Sequence, residues 1–157
     1  PAARRLLSAR AAAAVAAVVT HLDEPLGGDR FDAALGPALD ALTFDAKVWE
    51  AHGDFHAYVK AAVAPAVAAL ADKVRETPRR RDLALKLMLL ARDGTTPTRK
   101  AALAAVHALC DALKEDVADF ANQMVQGIAE CVDDPDTARD ARNIVLLVEN
   151  HTGIRLI

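Results

Sequence analysis

Alanine decides what this chain can fold into. It supplies 36 of the 157 residues and recurs from Ala2 to Ala141 rather than in one tract. Alanine has the highest helix propensity and is depleted in strands. Aromatic residues are 4% of the chain, too few to fill a β-sandwich core. The hydrophobic share is 53%, with seven Gly, seven Pro and two Cys. These values exclude collagen-like, disordered and disulfide-framework chains. The length suits one domain with a sizeable core. The expectation is an all-α fold.

The polar inventory offers little chemistry. Cys110 and Cys131 lie among apolar neighbours without CxxC spacing, and read as buried reduced thiols. Ser8 is the only serine and has no GxSxG context. Gly27-Gly28 lacks the spacing and downstream Lys of a phosphate loop. His52 and His56 stand four apart, as in an HxxxH metal site, with Glu50 and Asp54 nearby. Gly53 breaks that helix and no third ligand is specified, so solvated histidines beside a turn are expected. No catalytic, cofactor or metal residue is assigned, and the chain reads as non-enzymatic, with no small-molecule substrate.

The longest apolar run, Ala11 to Val19, is too short to span a bilayer. Arg4 and Arg5 precede Leu6 and Leu7 as in a signal peptide, but Arg10 interrupts the apolar stretch. No membrane partner is expected. The chain opens on Pro1 without a methionine, which suits a processed chain or a piece of a longer one. A tautomerase-type proline base would need a β-α-β fold that this composition disfavours.

Breakers divide the sequence into helices. Ala2 to Leu22 is continuous helix former. Asp29 is expected to cap a helix through Phe44, with Phe31, Leu35, Leu39 and Leu42 inward and a kink at Pro37. Asp45 should cap a short turn carrying Trp49. Asp54 should start a helix to about Arg75, bent at Pro65, with Val59, Val63, Val67 and Leu70 inward. Thr77-Pro78 and Thr96-Pro97 should each open a helix, one carrying Leu83, Leu87 and Leu90, the other Leu103, Val106, Leu109, Cys110 and Leu113. Asp116 is expected to cap a helix from Val117 to Val132. Asp134-Pro135 should open the last, to about Asn150. No segment alternates with period two for long enough to be a strand. Short connections predict antiparallel neighbours.

The second half repeats itself. The stretch from Ala91 to Ala101 aligns with that from Cys131 to Ala141 at an offset of 40 residues. The alignment pairs Asp93 with Asp133 and Arg99 with Arg139. That offset lies in the range of HEAT and armadillo repeats. The expected unit is helix, Asp-containing turn, early Arg, then a small residue and an aliphatic stripe. The Asp would cap the next helix or bond turn amides, and the Arg would reach neighbouring carboxylates or carbonyls. Asp93, Arg99, Asp133 and Arg139 are therefore candidate structural turn residues, although such charges also suit an ordinary solvated turn. Lone helix pairs cannot bury their faces, so the units should stack. The chain reads as one helical-repeat domain over 1–157, with N-terminal helices in 1–76 and two HEAT-like repeats in 77–157: an α-solenoid.

Charge is unevenly spread. Lys73 to Lys100 holds nine basic and three acidic residues, whereas Asp111 to Asp140 holds two basic and nine acidic. Attraction between adjacent repeats and solvated faces account for this pattern. A functional reading makes Arg79, Arg80 and Arg81 an outward ridge for RNA phosphate or an acidic partner. Few aromatics accompany it, so base stacking is unsupported.

The stretch from Val63 to Val67 through Leu87 to Asp93, then Thr98 to Leu109 and Leu113-Lys114-Glu115, resembles the C-terminal end of the large HEAT-repeat protein of the small-subunit processome. The resemblance covers about residues 60–150. Its most specific elements are the Arg92-Asp93 turn, Arg99 with the following small residues, and Leu113-Lys114-Glu115. The chain departs from the family at Arg79-Arg80-Arg81, where an aromatic is common, and at Asp119-Phe120, which does not match a Pro-Glu pair. The resemblance implies a non-enzymatic nucleolar scaffold of the t-UTP subcomplex, supporting small-subunit rRNA maturation and rDNA transcription. Its implied partners are other protein subunits of a large ribonucleoprotein assembly, with direct pre-rRNA contact as a further option, and no cofactor. The rival expectation is a generic HEAT-repeat adaptor for protein binding in transport, cytoskeleton or chaperone assembly.

Overall fold

In a computed structural model, residues 14, 19, 21, 24–49 and 53–156 are described. Every element among them is helical and none is a strand, so the fold is all-α. The elements are α1 (Gly28–Asp40), α2 (Ala46–Trp49) and α3 (Phe55–Tyr58). A π-helical turn (Val59–Val63) leads into α4 (Ala64–Lys73). Then come α5 (Thr77–Asp93), α6 (Thr96–Leu113), a 3₁₀ segment (Lys114–Asp119), α7 (Ala121–Asp133) and α8 (Ala138–Thr152). The expected helix over 2–22 lies outside the described residues, apart from Ala14, Val19 and His21.

The expected bend at Pro65 takes the form of a widened turn. Proline has no N–H to give the carbonyl four residues back, and its ring crowds that carbonyl. The backbone answers with an i→i+5 bond, the Ala64 N–H donating to the Val59 carbonyl. The turn keeps Val59, Val63, Val67 and Leu70 on one face, and all four are buried.

Packing is organised in two rows. Helices α4, α6 and α8 contact one another in order, α5 contacts α7, and the pairs α5–α6 and α7–α8 join the rows. Helix α6 is therefore covered on several sides. It buries Leu103, Val106, Leu109, Cys110 and Leu113, as its stripe predicts, and also Ala101, Ala102 and Ala105. The alanines let neighbouring helices approach closely. Gly127 of α7 serves the same end, since a Cβ there would stand 3.0 Å from Met88 Cε on α5.

Towards the N-terminal side, Phe44, Trp49, Phe55 and Tyr58 form an aromatic cluster with ring centroids 5.0–5.2 Å apart. The Phe44 N–H donates to the Thr98 hydroxyl at 2.9 Å, tying this cluster to the start of α6.

Several expected caps are displaced. Asp54 caps α3, accepting from the N–H groups of His56 and Ala57. Asp29 instead sits inside the first turn of α1, where Gly27 holds the cap position. Thr77 and Thr96 are first helical residues, behind Glu76 and Thr95. Asp116 caps nothing, because residues 114–119 form a 3₁₀ segment and α7 begins at Ala121. The last helix begins at Ala138, after a turn through Asp134 and Thr137. Asp29 stays exposed and Asp116 pairs with Arg80, so neither starts its helix.

Candidate functional site

The three consecutive arginines do not form one outward ridge. Arg79 pairs with Glu76 and, at 3.3 Å, with Asp32 of α1. Arg80 turns inward, and its side chain is only 11% exposed. Its Nε donates to the carbonyls of Ala71 (3.0 Å) and Val74 (2.8 Å), and its Nη1 meets Asp116 at 2.7 Å. Arg81 alone is exposed. Three successive positions on a helix point about 100° apart, so one of them falls against the neighbouring helix end.

Arg99 repeats what Arg80 does. Its Nε donates to the Ala91 carbonyl at 2.9 Å, and its Nη2 pairs with Asp134. Both arginines stand three residues into a Thr-Pro-x-Arg start, Thr77-Pro78-Arg79-Arg80 and Thr96-Pro97-Thr98-Arg99. Each reaches back to a carbonyl left free at the end of the preceding helix. Each then reaches across to an aspartate just past the following helix. A cation at a helix C-terminus is favoured by the macrodipole, and a charge-assisted bond to a free carbonyl is a strong one.

The expected turn residues separate into users and bystanders. Arg99 does reach a carboxylate and a carbonyl. Asp93 does not cap α6: it forms a doublet with its neighbour Arg92 (2.7 and 2.8 Å) in solvent. That doublet, above all its hydrogen bond, holds the Asp93 carboxyl below the usual range. Asp133 is exposed, and the work falls to Asp134 one residue later. Asp134 accepts from the Asp136 N–H (3.0 Å), from the Thr137 hydroxyl (3.3 Å) and from Arg99. The Asp136 N–H is the largest influence lowering the Asp134 pKa, with Arg99 and Thr137 adding to it. Arg139 is 90% exposed and only meets Asp140, at 3.7 Å. It therefore lacks the strap role of its sequence partner Arg99.

A second feature was not read from the sequence. A groove of about 330 Å³ runs across the π turn, α4, α6 and α8. Its rim carries His56, Lys60, Lys100, His107 and Arg139, against Asp140 as the one acid in the lining. Its floor is apolar, from buried Ala64 and Leu103 and half-buried Ala104 and Ala108, with exposed Pro65 at its edge. Among the described residues, Lys60 and Lys100 make no ion pair. The signal was present: Lys60-Ala61-Ala62-Val63-Ala64 and Lys100-Ala101-Ala102-Leu103-Ala104 are one pattern at the same offset of 40.

His52 and Glu50 lie outside the described residues. Among the described residues no group of three or more His, Cys, Asp or Glu is placed to hold a metal ion. No helix there is long and apolar enough to cross a membrane. Cys110 and Cys131 are buried free thiols. No protein-family model, curated protein or solved structure matches the chain.

Proposed function

We propose that the chain is a non-enzymatic helical-repeat scaffold, a HEAT-like stack that presents surfaces to other macromolecules. The observation that carries this reading is the repeated strap: Arg80 and Arg99 make the same two links in successive helices. Each link joins the turn before its own helix to the turn beyond the next helix, so it ties neighbouring helices together, as a stack needs. The two-row contacts of α4 to α8 agree with such a stack.

The narrower reading is the C-terminal part of the large HEAT-repeat protein of the small-subunit processome, acting in nucleolar rRNA maturation. It draws its support from the residues of the stretch 60–150, Arg92-Asp93, Arg99 and Leu113-Lys114-Glu115 above all. Gradient sedimentation of the tagged natural protein tests it. Co-migration with particles containing unprocessed small-subunit rRNA is the expected result. Migration free of pre-rRNA would overturn it in favour of a general protein-binding adaptor.

A further inference from the structure

We infer that the groove across α4, α6 and α8 binds an acidic, partly apolar peptide segment of a partner protein, in extended form. The inference rests on the scaffold reading and gives it a partner chemistry.

The charge argument comes first. The cations Lys60, Lys100 and Arg139 line the groove beside His56 and His107, and Asp140, which meets Arg139, is the only acid in its lining. Two of the cations elsewhere behave differently. Arg80 and Arg99 are bound to carbonyls and aspartates of the fold itself. Lys60 and Lys100 have no such partner among the described residues, so their charge remains for an external anion.

The floor selects between anions. Ala64, Leu103, Ala104 and Ala108 offer an apolar surface beneath the cations. A nucleic-acid strand would present phosphate and sugar to that floor, and no Phe, Tyr or Trp lines the groove to stack a base. A peptide with an apolar side chain between carboxylates matches both layers. It buries the apolar group against the floor and places its carboxylates at the rim.

The spacing sets the register. Lys60 and Lys100 occupy equivalent repeat positions on neighbouring elements, and packed helices lie about 8–10 Å apart. An extended polyproline II chain repeats every three residues and rises about 3.1 Å per residue, so carboxylates three residues apart share one face about 9 Å apart and meet successive lysines. The peptide therefore runs across the helices, from Lys60 towards Lys100.

The test is fluorescence anisotropy with the full chain and four labelled probes. One peptide carries Glu at every third position with Leu between. The second has the same composition with its glutamates in one block, the third replaces Glu with Lys, and the fourth probe is a single-stranded RNA. The spaced acidic peptide should bind best. Its affinity should fall as salt rises from about 0.01 to about 0.15 M, which shortens the Debye length from about 30 to about 8 Å. The double variant Lys60→Glu/Lys100→Glu should bind about tenfold or more weakly, a loss of about 1.4 kcal/mol or more. A Lys60→Gln/Lys100→Gln variant should fall between, and Arg81→Glu should bind like wild type. Circular dichroism keeps each comparison to folded protein. The inference is overturned if the spaced peptide does not bind, if Arg81→Glu weakens it equally, or if the blocked peptide binds as well. RNA bound in preference, and lost with the two lysines, overturns it too. A chain that fails here yet migrates with precursor particles would sink the peptide groove and leave the scaffold reading standing.

Discussion

Arg80 and Arg99, 19 residues apart, hold equivalent positions in successive helices. Arg80 links the end of α4, through Ala71 and Val74, to Asp116 beyond α6. Arg99 links the end of α5, through Ala91, to Asp134 beyond α7. The two links lie at opposite ends of an antiparallel stack. Each ties two chain turns, the one before its own helix and the one after the next helix, with one guanidinium, whose planar fork serves several acceptors at once.

Arg80→Ala is therefore expected to destabilise the fold by about 1–3 kcal/mol, because it leaves inward-facing carbonyls without their donor. Arg81→Ala should stay within about 0.5 kcal/mol of wild type, as for ordinary surface changes. Urea denaturation of the two variants checks this. Equal losses would show that the triplet acts as a whole rather than through Arg80.

Leu109→Ala should cost about 2–5 kcal/mol, since Leu109 is fully buried in the most enclosed helix. A thermal or urea midpoint close to wild type would place that face of α6 elsewhere.

Burial pushes the Cys110 thiol up to about 12, so it stays protonated at neutral pH. Cys131 is raised as well, again chiefly by desolvation. Since the thiolate is the reactive form, neither should label with iodoacetamide at pH 8 until the protein is unfolded. Rapid labelling of native protein, followed by mass spectrometry, would contradict this.

Asp134 gives the acid dependence a sign. Its folded pKa is lowered, first by the Asp136 N–H. Its contribution is thus present above the unfolded value of about 3.9 and is lost as pH falls through the folded value. Urea midpoints between pH 7 and pH 3 should fall less steeply at the acid end for Asp134→Asn than for wild type. An unchanged acid slope would remove Asp134 from the account.

The sequence made the helices legible because a 3–4-residue stripe needs only local information. Leu83, Leu87, Leu103, Val106 and Leu109 are all buried where the stripes put them. Arg99 was legible too, through its offset of 40. Asp54 was legible as a cap, but Asp116 and Asp134 were not, because they face choices that only tertiary contact resolves. Asp116 pairs with Arg80 on another helix, and Asp134 serves both its own turn and Arg99. The groove was missed for a related reason. Its cations come from three elements, and only the pattern Lys60-Ala-Ala matched to Lys100-Ala-Ala announces them. The uneven charge along the chain was read partly as a binding ridge. Part of it is internal, with Arg80–Asp116 and Arg99–Asp134 joining the basic stretch to the acidic one.

The strap itself is the central claim, and a double-mutant cycle on Arg99 and Asp134 tests it most directly. Arg99→Ala, Asp134→Ala and the double variant are compared by urea denaturation at pH 7. Both side chains are 21% exposed, so solvent screens the pair only in part. A coupling energy of about 1 kcal/mol or more, with the double variant losing less than the sum of the singles, is the predicted result. Additive losses, with coupling below about 0.3 kcal/mol, would mean that the two residues act separately and that no strap holds the stack.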